Sequence, residues 1–251
     1  MNILLTNDDG IFAPGIAALY RQLSRIANVT VAAPATARSG ASHSITLTPL
    51  TCDKIEITGK FTGYSVEGSP VDCVKLGILE LSSKPIDLVV SGINFGANAG
   101  IHVHYSGTVG GAMEGAFCGI PSIAVSAAYE KNIDFETAAE YAIKTIESLL
   151  PLKDPEVLNI NIPVLSKGKP KGVKVVPHST NIYEETYVKE RDEDGNISYT
   201  YTSGKHKDKK DTTDITALLD GFITVTALHY DMNDYGINEK LQEINWDLPE
   251  G

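Results

Sequence analysis

Short apolar runs alternate with helix-length patterns over the first two thirds of this chain, and that alternation constrains the fold more than any other feature. Ile3 to Thr6, Val29 to Ala33, Ile86 to Ser91, Pro121 to Ser126 and Val157 to Ile162 read as strands. Between them, Pro14 to Ile26 reads as a helix with proline in its first turn. Ser69 reads as an N-cap, with Pro70 at the first helical position and Asp72 in the first turn of a helix running to about Leu81. Thr108 to Cys118 is helical and ends at Gly119, and Phe135 to Leu150 is amphipathic. Ile45 to Glu67 has mixed strand character. Strand, helix, strand in repeated order demands parallel strands joined by crossovers. The expected fold is therefore α/β: a three-layer, mostly parallel, doubly wound sheet of Rossmann-like type.

The last third differs. Glu185 to Lys189 and Ile197 to Thr202 alternate around the polar turn DEDGN, which predicts a β-hairpin with a charged, exposed tip. Such an arm has little of its own to bury, so it packs on another subunit or stands as a flap. Lys205 to Lys210 reads as a solvated linker, Phe222 to Leu228 as a further strand and Tyr235 to Trp246 as a closing helix. Residues 1–251 are expected to form one α/β domain, with 182–203 and 234–251 as oligomerisation elements.

Of the 251 residues, 42% are hydrophobic and 21% charged, which suits a sizeable core. No stretch approaches a membrane helix, and the N-terminus lacks a signal-peptide pattern, so a cytoplasmic protein is expected. Cys52, Cys73 and Cys118 are widely spaced beside apolar runs that could bury them, and suggest neither a disulfide framework nor a zinc site. A formal net charge of -11 repels a nucleic-acid duplex, whereas a bound metal would let a small anion dock locally.

In open parallel sheets ligands bind beyond the carboxyl ends of the strands. Behind the first strand stand Asn7, Asp8, Asp9 and Gly10; behind the second, PATARSGASHS; behind the third, SGINFGANAG. Asp-Gly is a common turn, and alone it would explain nothing more. Two adjacent carboxylates nevertheless raise each other's pKa unless a cation or donors neutralise them. They can converge only where the backbone has left the sheet, as Gly10 permits. With a hydroxyl from Ser39 and an amide oxygen from Asn94 they would form a hard, all-oxygen site for Mg²⁺, Mn²⁺ or Ca²⁺. Either of those two alone reads as ordinary loop hydrogen bonding.

In YSGTVGGAMEGAFCG, Ser106, Gly107 and Thr108 open a helix whose early turns carry Gly110, Gly111 and Ala112. Hydroxyls, free N–H groups and the helix dipole make this a phosphate cradle, or else a capped helix packed closely on a neighbour. It is not a P-loop, and no G-x-G-x-x-G follows the first strand. A metal beside a phosphate cradle points to metal-assisted phosphoryl transfer to water.

Taken together, TNDDGIFAPG, RSGASHSIT, SGINFGANAG, YSGTVGGAMEG and DTTDITALLDGFITVTALHYD resemble, in order and spacing over nearly the whole chain, the SurE family of survival-protein nucleotidases. The resemblance implies a metal-dependent phosphatase acting on nucleoside 5′- and 3′-monophosphates, with exopolyphosphatase activity in some members. It implies one divalent ion per subunit, held by Asp8, Asp9, Ser39 and Asn94, with Asn7, Asp8 and Asp9 as the catalytic group. Ser106, Gly107 and Thr108 match the phosphate-side loop, and Gly40 and Asn98 fall in matching substrate-side segments. A dimer or tetramer that exchanges its C-terminal hairpin and helix is also implied. The chain departs from the family's pattern at IHVHYSGTV, GSPVDCV and Thr212-Thr213-Asp214.

His102 and His104, if extended, would place both rings on one side for a transition metal or a phosphate, against a default of surface or interface histidines. His43 could donate to substrate or be a plain loop histidine, and His229 reads as a packing residue. A haloacid-dehalogenase-type mechanism needs an Asp two positions before an Asp acid/base, yet Asn7 stands before Asp9 and Gly10 after Asp8. A non-enzymatic nucleotide sensor on the same sheet is the other alternative.

Overall fold

The computed structural model of the chain describes residues 1–57, 61–152, 154–181, 183–206 and 212–246. Its first strand, β1 (Asn2–Thr6), carries an unbroken apolar run at Ile3, Leu4 and Leu5 because it lies mid-sheet, paired in parallel with β2 (Asn28–Pro34) on one side and β5 (Leu88–Phe95) on the other. Strands β3 (Cys52–Ile57) and β4 (Phe61–Val66) resolve the mixed region into an antiparallel pair, with β4 parallel to β2. Beyond β5, strands β6 (Ser122–Ala127) and β7 (Val157–Ile162) continue in parallel. The short β8 (Val173–Val175), not expected from sequence, pairs with β11 (Ile223–Leu228), which runs antiparallel to β7. Among the described residues the sheet order is β3-β4-β2-β1-β5-β6-β7-β11-β8.

Helices α1 (Pro14–Leu23) and α5 (Phe135–Leu149) pack together over one face, and α2 (Pro70–Leu76) and α4 (Gly107–Phe117) over the other. Three layers follow, as expected. The larger core cluster joins α1 and α5 to the sheet through Ile3, Leu5, Ile16, Leu19, Val90 and Ile146. Leu4, Val74 and Val89 fill the other face beneath α2. Helix α1 ends at Leu23 rather than Ile26, because Arg25 and Ile26 donate three residues back to Gln22 and Leu23 and tighten the last turn. Ser69 and Asp72 cap α2 reciprocally, worth about 1 kcal/mol, and an i→i+5 turn over Gly77–Leu81 extends it to the expected end.

Strands β9 (Tyr183–Arg191) and β10 (Ile197–His206) form a two-stranded arm outside the main sheet, longer than expected at its base. Asp192 N–H and Gly195, at φ 86°, close its tip. Residues 205 and 206 thus belong to the arm, and the rest of the charge-rich linker, like 247–251, falls outside the described residues. Helix α6 (Asp214–Leu219) was not expected, and α7 (Tyr235–Gln242) stops before Trp246 with no buried residue. No described helix is long and apolar enough to cross a membrane. Cys73 is buried and Cys52 half-buried, whereas the apolar run beside Cys118 does not bury it, and it is exposed just past the end of α4.

Candidate active site

Because β2, β1 and β5 are parallel neighbours, the loops behind them open on one edge, where the chain switches from one side of β1 to the other. The backbone leaves β1 at Thr6 and turns at Gly10, whose φ of 97° suits glycine. A Cβ on Gly10 would press on the 34–37 backbone, so the turn seats the first loop against the second. Arg38 N–H donates to the Asp8 carbonyl at 2.7 Å, which brings Ser39 and Gly40 to the rim of the same edge, both exposed.

Asp8 is buried and meets the start of α4. Thr108 Oγ1 donates to Asp8 Oδ1 at 2.5 Å, and the Thr108 N–H adds a second bond. A Cβ at Gly107 would stand 2.9 Å from Asp8 Cβ and 3.1 Å from its Oδ2, so glycine there is what lets the helix end reach the carboxylate. Ser106 caps α4 by accepting from Val109 N–H at 3.0 Å. The expected cradle is therefore a helix N-terminus already turned toward Asp8, and a substrate phosphate would share its positive end with that side chain. Gly110 serves packing instead, because a Cβ there would meet the Ser42 carbonyl oxygen at 2.4 Å. Ser42 itself, at φ 54°, is pinned to α3 (His102–Tyr105) through the Tyr105 and His104 carbonyls.

Burial lifts the Asp8 carboxyl to about 6, with the Asp9 charge adding to the rise and the Thr108 hydroxyl opposing it. Asp9 is also raised by burial, although its Oδ2 accepts from Phe95 N–H at 3.0 Å. Asn7 is fully buried: its amide nitrogen donates to the Gly10 carbonyl at 2.9 Å, and its Oδ1 has no hydrogen-bond partner. Asn94 donates its amide nitrogen to Gly96 O at 2.7 Å, which directs its oxygen away from that bond. Two neighbouring carboxylates that repel each other, the orphaned Asn7 oxygen and the Asn94 amide, whose nitrogen is engaged elsewhere, offer oxygen donors on this edge. That set fits a hard divalent cation.

Asn98 is buried in the loop behind β5. Its amide donates to Ser126 Oγ, its N–H to Asn161 Oδ1, and its carbonyl accepts from Asn159 and Asn161. It anchors the loop behind β5 to β6 and β7. Asp214 completes that anchoring, accepting from Gly100 N–H and Ser179 N–H at 2.8 Å each. Sequence had marked Asp214 only by position. The extended reading of His102 and His104 is corrected: they lie on the helical turn of α3, where residues two apart face different ways, although His104 does meet His178 edge-on at 6.0 Å. His43 does lie in the loop behind β2, and its Nε2 stands 2.8 Å from Glu114 Oε2. Glu114 was missed altogether, and its signal was an acid among the Gly and Ala of α4.

A family model described as "Survival protein SurE" matches residues 3–185. A protein of Rhodopirellula baltica named 5′-nucleotidase SurE is 43% identical over 250 residues, covering 98% of this chain and 99% of the relative. One of Kosmotoga olearia with the same name is 42% identical, covering 97% and 98%. The crystal structure of the Sure protein from Aquifex aeolicus superposes with a TM-score of 0.84 at 40% identity, covering 96% of this chain and 98% of that one.

Proposed function

The chain belongs to the survival protein SurE family, and from that premise and the geometry of the Asp8 pocket we propose that it is a 5′-nucleotidase, releasing phosphate from nucleoside 5′-monophosphates. The observation that carries the reading is the buried Asp8 carboxylate, raised to about 6 and seated against the N-terminus of α4 with Asp9 beside it. Activity on 3′-monophosphates and on polyphosphate belongs to the same proposal, because nothing in the pocket's donor set distinguishes one terminal phosphate from another.

We assign one divalent cation, Mg²⁺, Mn²⁺ or Ca²⁺, to Asp8 and Asp9, with Asn7, Ser39 and Asn94 as the neutral oxygens around it. Bound there, such an ion would offset negative charge on the phosphoryl oxygens and make water a stronger nucleophile. The chain's own residues do the rest. Thr108 holds Asp8 in place, the Asn7 and Asn94 amides are each fixed by a backbone carbonyl, and the α4 N-terminus with Ser106 and Gly107 receives the phosphate. Adenosine 5′-monophosphate incubated with Mn²⁺ or Mg²⁺ is expected to release phosphate, and chelator to stop it. Binding without turnover under every metal would instead mark a nucleotide sensor.

The arm, α7 and the segment just after α7 expose Tyr187, Tyr199, Ile197, Ile237, Leu241 and Trp246, apolar groups without cover in one chain. We propose that a second copy covers them, giving a dimer or tetramer. Deleting residues 184–203 is expected to lower the mass measured by light scattering. An unchanged mass would reject that role for the arm.

A further inference from the structure

A nucleotidase centre at Asp8 leaves open how the chain distinguishes a nucleotide from any other phosphate. Resting on that reading, we propose that the groove leading away from Asp8 along α4 seats the nucleoside moiety of the substrate, with His43 as its fixed polar contact. The groove encloses about 490 Å³ and is lined by Ser106, Val109, Gly110, Met113 and Phe117 of α4. That size is typical of small-molecule sites, and the three- and four-residue spacing makes the lining one continuous helix face. It starts at Ser106, beside the Gly107 that lies against Asp8, and runs about 16 Å at 1.5 Å per residue. The groove thus adjoins the α4 N-terminus, where the ester substituent of a phosphate bound there would find it.

The walls have the chemistry a base requires. Tyr230 stacks on His229, with ring centroids 5.3 Å apart and planes within 11°, and meets Phe117 edge-on at 6.1 Å. Phe117 is 66% exposed and Tyr230 40%, so both present ring surface for a base to cover. Met113 and Met232 supply adaptable apolar contact beside them.

His43, also in the lining, is positioned from behind. Glu114 is buried on α4, with Lys75 Nζ 2.6 Å from one oxygen and His43 Nε2 2.8 Å from the other. Burial pushes the Glu114 carboxyl up, but those two partners outweigh it and hold it below its ordinary value. An ionised carboxylate only accepts, so the proton in the pair sits on Nε2 and Nδ1 is the ring atom left for a ligand. The Lys75–Glu114–His43 chain thus fixes an imidazole beside the aromatic walls.

Steady-state kinetics on the full chain test the proposal with Phe117→Ala and His43→Ala, both outside the Asp8 donor set. KM for adenosine 5′-monophosphate is expected to rise about tenfold in each, a typical loss for one stacking or polar contact. The inhibition constant of inorganic phosphate, which has no nucleoside, should stay within about twofold, as should kcat. An unchanged KM, or an equal loss of phosphate inhibition, would overturn the subsite. So would a change in assembly size by light scattering without a change in KM, which would make the groove an interface between copies. Calorimetric binding of adenosine 5′-monophosphate separates the two readings: if the parent chain binds it without turnover, weakened binding in both variants keeps the subsite while the nucleotidase reading falls, and undiminished binding removes the subsite.

Discussion

Asp8→Asn is expected to remove phosphate release while leaving the fold intact, and to leave the metal-free protein at least as stable as its parent at pH 7.5. The Thr108 hydroxyl that donates to Asp8 at 2.5 Å can donate equally to an amide oxygen, so the start of α4 keeps its contact. What the substitution removes is a buried negative charge beside Asp9. A carboxyl raised from 3.8 to about 6 costs the ionised protein about 3 kcal/mol at neutral pH. The amide carries no such penalty. It is also a weak ligand for a hard cation, and loss of one charge-stabilising group in an active site lowers turnover on the order of 10²–10³-fold. Native circular dichroism, an unchanged or higher Tm and lost turnover form the expected set. A lower Tm with disrupted secondary structure would make Asp8 a structural residue, and retained turnover would exclude it as a ligand.

The second large effect is a cation-dependent stability that switches with pH. In the metal-free protein Asp8 is more basic than in the unfolded chain, so folding takes up a proton between about 4 and 6. Its contribution is fully present below about 4, is lost as pH rises through about 6, and is flat above that. Asp9, raised in the same direction, adds to the trend. A divalent ion at these carboxylates competes with that proton. At pH 5 the ionised fraction of Asp8 is small, and apparent metal affinity should be about tenfold weaker than at pH 7.5. Mn²⁺ at a hundred times its dissociation constant should add about 2.7 kcal/mol at pH 7.5, or roughly 5–10 °C in Tm. At pH 5 the same concentration, then about ten times the dissociation constant, should add about 1.4 kcal/mol and give about half the shift, and chelator should reverse both. Equal shifts at the two pH values, or none, would remove the cation from these carboxylates.

Local chemistry made much of this readable beforehand. Strand β1 announces itself by an apolar run ending in Asn7-Asp8-Asp9-Gly10, α2 by Ser69, Pro70 and Asp72, and α5 by its apolar stripe. Each signal lies within one turn or one strand of the element it marks. The misreadings share the opposite property. Strand β8 is three residues long and exists only because β11 pairs with it. The HVH segment has strand-like alternation, yet Gly100 on one side, tied to Asp214, and the Ser106 cap on the other leave room for a single helical turn. Helix α1 stops early because the residues after Leu23 find nearer acceptors.

The sequence by itself determined the layered α/β sheet, the edge at which polar loops gather and the acidic pair at its centre, because these follow from periodicity and from the direction of parallel strands. Only the tertiary structure decided which groups complete the pocket. Thr108 reaches Asp8 across 100 residues, His43 reaches Glu114 across 71, and Asp214 holds Gly100 across 114. Such pairings arise where packed layers bring remote backbone together. No local propensity records them, because in each pair a buried group finds its partner on a remote stretch of chain.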